Sequence, residues 1–239
     1  YSHDDTEMKL GVHERKWEPD SLSAFCRLSA GYWQVTHSRR PFGKDWLGAL
    51  ELLLKTLRTE QRIDGATPYR FNRPHGDPTD FVPNNGRGAA TTPNGMVHGA
   101  FRPSDDACVL PLNVPVNLAL AASLDQVTAI AIAIGAEASA IEARAIAADI
   151  RAGVARDGHI GDRWAYEIDG LGGTVLMDDA NAPSLLSLPY LGVCRPDDRR
   201  YLATRRWILS PENPWWFAGK AAEGIGSPHT GPHRVWPIA

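Results

Sequence analysis

The segment from Lys44 to Arg62 constrains the fold more than any other. Trp46, Leu47, Leu50, Leu53, Leu54 and Leu57 fall on one side of a 3.6-residue helix, and Glu51 with Lys55 adds an i,i+4 pair. A helix with such a stripe must bury it against another element. Its neighbours along the chain are mostly of the same kind. Glu14 to about Thr36 carries Leu22, Phe25, Cys26, Leu28 and Trp33 at rough helical spacing, with Pro19 in its first turn. Val116–Leu124, then a short Asp125–Ile134 segment that Gly135 ends, and an Ala-rich stretch from about Ala138 to Arg156 read as further helices. Gly153 is expected to weaken the last turn of the third of these. Residues 180–192 read as a helix start that Pro189 kinks or ends, and Arg199–Leu209 as a helix capped by Pro196-Asp197-Asp198. Arg163–Ile168 alternates and reads as a short strand, closed by the turn Asp169-Gly170-Leu171-Gly172-Gly173. There is no βαβ rhythm and no internal repeat. The expectation is an all-α helical toroid rather than a Rossmann or TIM fold.

One long stretch departs from this pattern. Ile63 to Phe101 is about forty residues rich in Gly, Pro, Asn and Asp, and loops longer than about 12–15 residues are uncommon in compact domains unless functional or disordered. Its embedded Tyr69, Arg70, Phe71, Arg73, His75, Asp80 and Phe81 argue for order. Such a loop suits a pocket wall, set against a purely structural role.

Composition narrows the function classes. A net charge of −3 carries no basic excess, so no nucleic-acid partner is expected. No uncharged apolar run reaches transmembrane length, so no membrane is expected as a partner. Tyr1-Ser2-His3-Asp4-Asp5 is not a signal peptide, which makes the cytoplasm the favoured location. Cys26, Cys108 and Cys194 form no spaced cluster and read as thiols, neither a disulfide frame nor a metal site; no metal and no cofactor are expected. Eight tryptophans suit sugar faces, although core packing explains any single one of them.

Two acidic motifs remain. In Phe101-Arg102-Pro103-Ser104-Asp105-Asp106-Ala107, adjacent carboxylates follow a Pro-Ser turn and precede an apolar run. Ser104 or Asp105 can cap that run, so one carboxylate can serve the backbone while its neighbour points elsewhere, because neighbouring residues do not share a helix face. Arg102 is close enough in sequence to bias either charge. In Leu176-Met177-Asp178-Asp179-Ala180-Asn181-Ala182-Pro183-Ser184-Leu185-Leu186-Ser187-Leu188-Pro189-Tyr190-Leu191-Gly192, two adjacent acids again precede an apolar segment. On residues alone, helix capping competes with function in both.

These two segments, with His13-Glu14-Arg15-Lys16-Trp17-Glu18 leading to Asp20-Ser21-Leu22 and with Gly226-Ser227-Pro228-His229-Thr230, resemble glycoside hydrolase family 125 from about Glu14 to Ala239. The resemblance implies an inverting exo-α-1,6-mannosidase on an (α/α)6 barrel, working without a metal on a mannose-containing oligosaccharide or N-glycan fragment. It implies a general acid in Phe101–Ala107, on Asp105 or Asp106, with the weight on Asp106. Arg102, Asp178, Asp179, Asn181, His229, Tyr69 and Arg70 become substrate-binding candidates, and Glu167 and Asp169 weaker ones. The family's base lies in a His-Glu-Ser motif and an N-terminal segment carries Trp-Leu-Arg-Asp; neither occurs here, and Trp236-Pro237-Ile238-Ala239 reads as a helix start. The expectation is therefore one catalytic domain, 1–239, holding the central part of the barrel without the base. Two alternatives stay open: a non-catalytic carbohydrate-binding protein, which needs no acid, and a lyase or epimerase on a similar toroid. The mostly acidic candidates disfavour a lyase acting on a uronic acid.

Overall fold

Helix α4 (Val114–Ala133) is the element that the others surround. It is apolar on most of its circumference, as a largely buried helix must be. By length and composition it would pass for a membrane span, but 72% of its 18-residue apolar window is buried inside the protein. Asn113 caps it, its side-chain oxygen accepting from the Val116 N–H at 3.0 Å. Farther along, Asn117 turns its amide onto Val97, donating to the carbonyl at 2.9 Å and accepting from the N–H at 2.7 Å. A buried helix amide thereby pins the end of the long loop.

This is a computed structural model, and it describes residues 3–236. Helix α1 (Pro19–Thr36) and helix α5 (Glu137–Asp157) pack on α4, and helix α2 (Lys44–Gln61) packs on α5. The predicted leucine stripe is the buried one: Leu50, Leu53, Leu54 and Leu57 are each at most 4% exposed. Inside the long loop, α3 (Pro83–Gly86) is a single turn. Strands β1 (Leu112–Asn113), β4 (Glu167–Ile168) and β5 (Thr174–Val175) form a small antiparallel sheet in the order β1-β4-β5, with Asn113 opposite Glu167. Two hairpins, β2 (His159–Ile160) with β3 (Arg163–Trp164) and β6 (Trp216–Ala218) with β7 (Glu223–Ile225), flank helix α6 (Arg199–Ile208). The chain is predominantly helical, as the periodicity requires.

Several local expectations need correction. Asp125 does not divide the apolar segment into two helices. It sits on the outer side of one continuous α4, paired with Arg151 of α5. Neither Ser104 nor Asp105 caps this helix; Asn113 does. Residues 180–192 form successive turns, not a helix. Pro183 has no amide proton, and the Asp178 carboxylate takes those of Leu185 and Leu186, at 2.9 and 3.0 Å. Asp198 does cap α6, accepting from the Tyr201 N–H at 2.9 Å. The helix start read at Trp236–Ala239 falls, from residue 237, outside the described residues.

Gly153 is not a weak point. A Cβ there would lie 2.5 Å from the Asn94 carbonyl oxygen, so the glycine lets the long loop lie directly on α5. Helix propensity favours Gly153→Ala, yet we expect the substitution to destabilise the fold by about 1–3 kcal/mol, the usual cost of overpacking. Urea unfolding, read as a lower midpoint at unchanged slope, checks this.

Candidate active site

Phe101 and Ala107 pair across an isolated antiparallel bridge, and the residues between them close a tight loop. The Arg102 N–H donates to the Asp106 carbonyl at 2.8 Å and the Asp105 N–H to the Arg102 carbonyl at 2.9 Å. Closing this loop puts Asp105 at φ 72°, a left-handed conformation that aspartate tolerates better than most residues. Its consequence is that the two consecutive carboxylates part. Asp105 turns outward, its side chain 51% exposed and 2.9 Å from the Lys16 ammonium. Asp106 turns inward and is 2% exposed.

The Asp106 carboxyl is poised asymmetrically. Oδ1 lies 3.1 Å from His229 Nδ1, and Oδ2 is buried with no hydrogen-bond partner among the described residues. Burial raises its pKa; the His229 hydrogen bond opposes this, and the nearby Asp179 charge adds to it. His229 reaches this point because Pro228–Thr230 forms a short 3₁₀ turn started by Ser227, whose hydroxyl accepts from the His229 N–H.

Beneath the loop, Arg102 and Glu167 form a buried two-point ion pair at 2.6 and 3.0 Å. The carboxylate is 0% exposed and its second oxygen also accepts from the Val109 and Leu110 N–H groups, at 3.0 and 3.1 Å. Arg102, a substrate-binding candidate, acts as an internal strut here: its side chain is 4% exposed, and its Nε and Nη2 are engaged by Glu167. Glu167, a weaker candidate for the sugar, is that strut's counter-charge. Asp169 closes its own turn by accepting from the Leu171 and Gly173 N–H groups.

The second acidic motif also divides. Asp178, 0% exposed, holds the turn at Leu185 and Leu186, which makes it a capping residue where the sequence suggests a sugar contact; burial takes its pKa to about 7 against these two N–H groups. Asp179 is 1% exposed, and its Oδ2 has no partner within normal hydrogen-bond geometry among the described residues. Burial raises its pKa, while the hydroxyls of Ser104 and Ser227 and the Asn181 N–H oppose the rise. Around it, Ser104 Oγ approaches Asp179 without reaching normal hydrogen-bond geometry, and the fully buried Tyr166 hydroxyl has no partner among the described residues. Buried polar groups normally find partners, so a cluster of unmet ones calls for a polar ligand. Asp179 also lines an open cavity of about 490 Å³ with Ser187, Tyr190, Tyr201 and Arg205, within the size range of small-molecule sites. Asn181 reaches Asp179 Oδ1 through its backbone N–H at 3.3 Å.

Tyr69 and Arg70 lie elsewhere. They line a larger hollow of about 670 Å³ beside Glu14, Lys16 and Trp17. Their polar groups are engaged within the protein: the Tyr69 hydroxyl accepts from the Trp17 N–H and donates to the Arg15 carbonyl, and Arg70 pairs with Asp5. The larger hollow is thus the weaker candidate, because the unmet buried groups gather around Asp179. Pro83-Asn84-Asn85-Gly86 is a structural turn, with Asn84, Asn85 and Gly86 all at positive φ and the Gly86 carbonyl accepting from Phe71. That turn supports Phe71, whose ring meets Phe101 edge-on at 5.0 Å beneath the acid loop. Sequence reasoning missed Lys16, Ser104 as a site hydroxyl, Tyr166 and Glu18. Burial, with Asp20 and Asp105 nearby, takes the Glu18 pKa to about 7; no spacing signal distinguishes it from the surface acids around it.

The comparisons with known proteins agree with one another. A sequence model of the family described as metal-independent alpha-mannosidase (GH125) matches residues 2–239. The meiotically up-regulated gene 157 protein of Schizosaccharomyces pombe is 39% identical over 243 residues, covering 95% of this chain and 48% of that protein. A solved Streptococcus pneumoniae metal-independent alpha mannosidase, in a non-productive complex with alpha-1,6-mannobiose, is 36% identical with a TM-score of 0.95, covering 99% of this chain and 57% of that one. The chain thus spans about half the length of the curated relative.

Replacing Glu167 by Gln would strand the Arg102 charge in the interior. Breaking one side of a buried ion pair typically costs about 3–5 kcal/mol, and we expect that loss in urea unfolding of the Glu167→Gln protein. A loss no larger than that of an exposed pair, about 0–1 kcal/mol, would show that the strut is dispensable.

Proposed function

The chain belongs to glycoside hydrolase family 125, and from this premise we propose that it carries the general acid of an inverting exo-α-1,6-mannosidase, with Asp106 as that acid. The observation that carries the reading is the asymmetric burial of Asp106. Oδ1 takes the contact with His229 Nδ1, Oδ2 has no partner among the described residues, and burial favours the neutral carboxyl, so Oδ2 is the oxygen left to carry a proton. A protonated carboxyl aimed away from its own supports is what a departing glycosidic oxygen requires. Asp105 is unsuited to the task, being exposed and paired with Lys16.

Asp179, with Ser104 and Tyr166 beside it, would take the hydroxyls of the terminal mannose, and the adjoining cavity bounded by Tyr190 and Arg205 would receive the rest of a mannose-containing oligosaccharide. Inversion also needs a carboxylate base on the opposite face of the ring, about 6.5–9.5 Å from the acid. The family resemblance assigns that base to a His-Glu-Ser motif, which residues 1–239 do not contain. We further read the helices around α4 as part of an (α/α)6 barrel and residues 1–239 as belonging to a single catalytic domain. The 36% identity and 0.95 TM-score to a metal-independent mannosidase support both.

Asp106→Asn in the intact enzyme tests this function. For α-1,6-mannobiose, kcat should fall by about 10²–10⁴-fold, the usual contribution of one positioned proton donor. An activated aryl α-mannoside, whose leaving group needs little protonation, should lose far less. Equal losses on the two substrates would instead indicate a binding role. A second measurement tests His229. A general acid works only while protonated, so activity falls as pH rises through the pKa of Asp106. His229→Phe removes the donor that lowers this pKa, so the alkaline limb of the profile should move to higher pH.

A further inference from the structure

Lys16 precedes helix α1 by a few residues, far in sequence from the acid loop, yet its ammonium is committed to that loop. The side chain is only 4% exposed, which is unusual for lysine. It lies 2.6 Å from Asp80 Oδ1, 2.9 Å from Asp105 Oδ1 and 3.0 Å from the Asp105 carbonyl oxygen. An ammonium has three donors, so none is left for a ligand. Phe101, the residue that opens the loop, places its ring 4.9 Å from the same nitrogen. Asp80 is held in turn by Arg73 at 3.1 Å, and the neighbouring Thr79 carbonyl accepts from the Ala107 N–H at 2.7 Å. The Ala107 end of the loop is therefore tied to Thr79, the Phe101 N–H donates to the Trp17 carbonyl at 3.1 Å, and Lys16 links Asp105 to Asp80 across the outer side.

We propose that Lys16 is a positioning residue for the general acid: by gripping Asp105 through both its carboxylate and its carbonyl, it holds that residue left-handed and so aims Asp106 at His229. The proposal rests on reading Asp106 as the acid. The physical link is one peptide unit long. The Asp105 carbonyl belongs to the peptide that leads into Asp106, so fixing that oxygen fixes the plane from which the Asp106 side chain departs. Without the ammonium, Asp105 would lose its cation and Asp80 would keep only Arg73 among the described residues. The left-handed turn at Asp105 would then lose the contact that opposes its strain. The Arg102–Glu167 pair anchors the inner side of the same loop. Lys16 is its outer counterpart, and it touches neither Asp106 nor the cavity beside Asp179.

The test compares kcat and KM for α-1,6-mannobiose and for an activated aryl α-mannoside in the intact enzyme, with Asp106→Asn as the reference. For Lys16→Met we expect kcat on the disaccharide to fall roughly 10–100-fold, the scale for a misplaced catalytic group, with a much smaller fall on the activated substrate and little change in KM. Asp80→Asn keeps shape and volume but removes one of the two carboxylates that hold the ammonium. It should give the same pattern more weakly, and it serves where Lys16→Met fails to fold. Asp105→Asn keeps an oxygen for Lys16 and tolerates the left-handed conformation, so it should retain more activity than Asp105→Ala. Leaving-group dependence in Asp106→Asn, together with equal losses on both substrates or none in Lys16→Met and Asp80→Asn, would overturn the positioning role alone. No leaving-group dependence in Asp106→Asn would overturn the acid assignment and this proposal with it.

Discussion

The site depends first on the ion pair between Arg102 and Glu167. A charged carboxylate at 0% exposure is stable only when its lone pairs are fully used, and here they meet a guanidinium and two backbone N–H groups. The pair links the acid loop to the small sheet, because Glu167 is on β4 opposite Asn113, the residue that caps α4. One carboxylate thus connects the buried central helix, the sheet and the loop that carries Asp106. Loops are ordinarily the mobile part of a fold; this one is fixed at its base by a charge pair and two backbone hydrogen bonds.

On that base, a single left-handed residue divides the labour of two adjacent acids. Asp105 takes the strained backbone and the exposed lysine-facing position, and Asp106 is turned inward beside Asp179. Two carboxylates in a shared, poorly solvated space raise one another's pKa, and burial adds to the effect. His229 and the hydroxyls of Ser104 and Ser227 offset part of this. The balance leaves a polar cluster whose hydrogen-bonding capacity is unmet among the described residues, next to a cavity of about 490 Å³.

Much of the architecture is legible because it is periodic. The stripe in α2, the Ala-rich α5 and the cap at Asp198 obey short-range rules, and these helices form close to their expected bounds. Legibility fails where tertiary packing overrides local preference. Asp125 has the look of a boundary, yet its charge simply emerges from the side of a continuous helix onto Arg151. Residues 180–192 have a helical look, but Asp178 claims the amide protons that a helix would need. Gly153 resembles a defect and is a contact surface for Asn94.

By itself the sequence determined the helical character, the positions of both acidic motifs and the family to which they belong, since each is written in consecutive residues. Only the tertiary structure decided which acid is buried, which arginine is a strut and which tyrosine is occupied. Those properties depend on partners far along the chain. His229 reaches Asp106 across 123 positions, Glu167 reaches Arg102 across 65, and Lys16 reaches Asp105 across 89. The protonation and exposure of a carboxyl are set by whatever surrounds it in space, and local spacing carries no record of groups that only folding brings near.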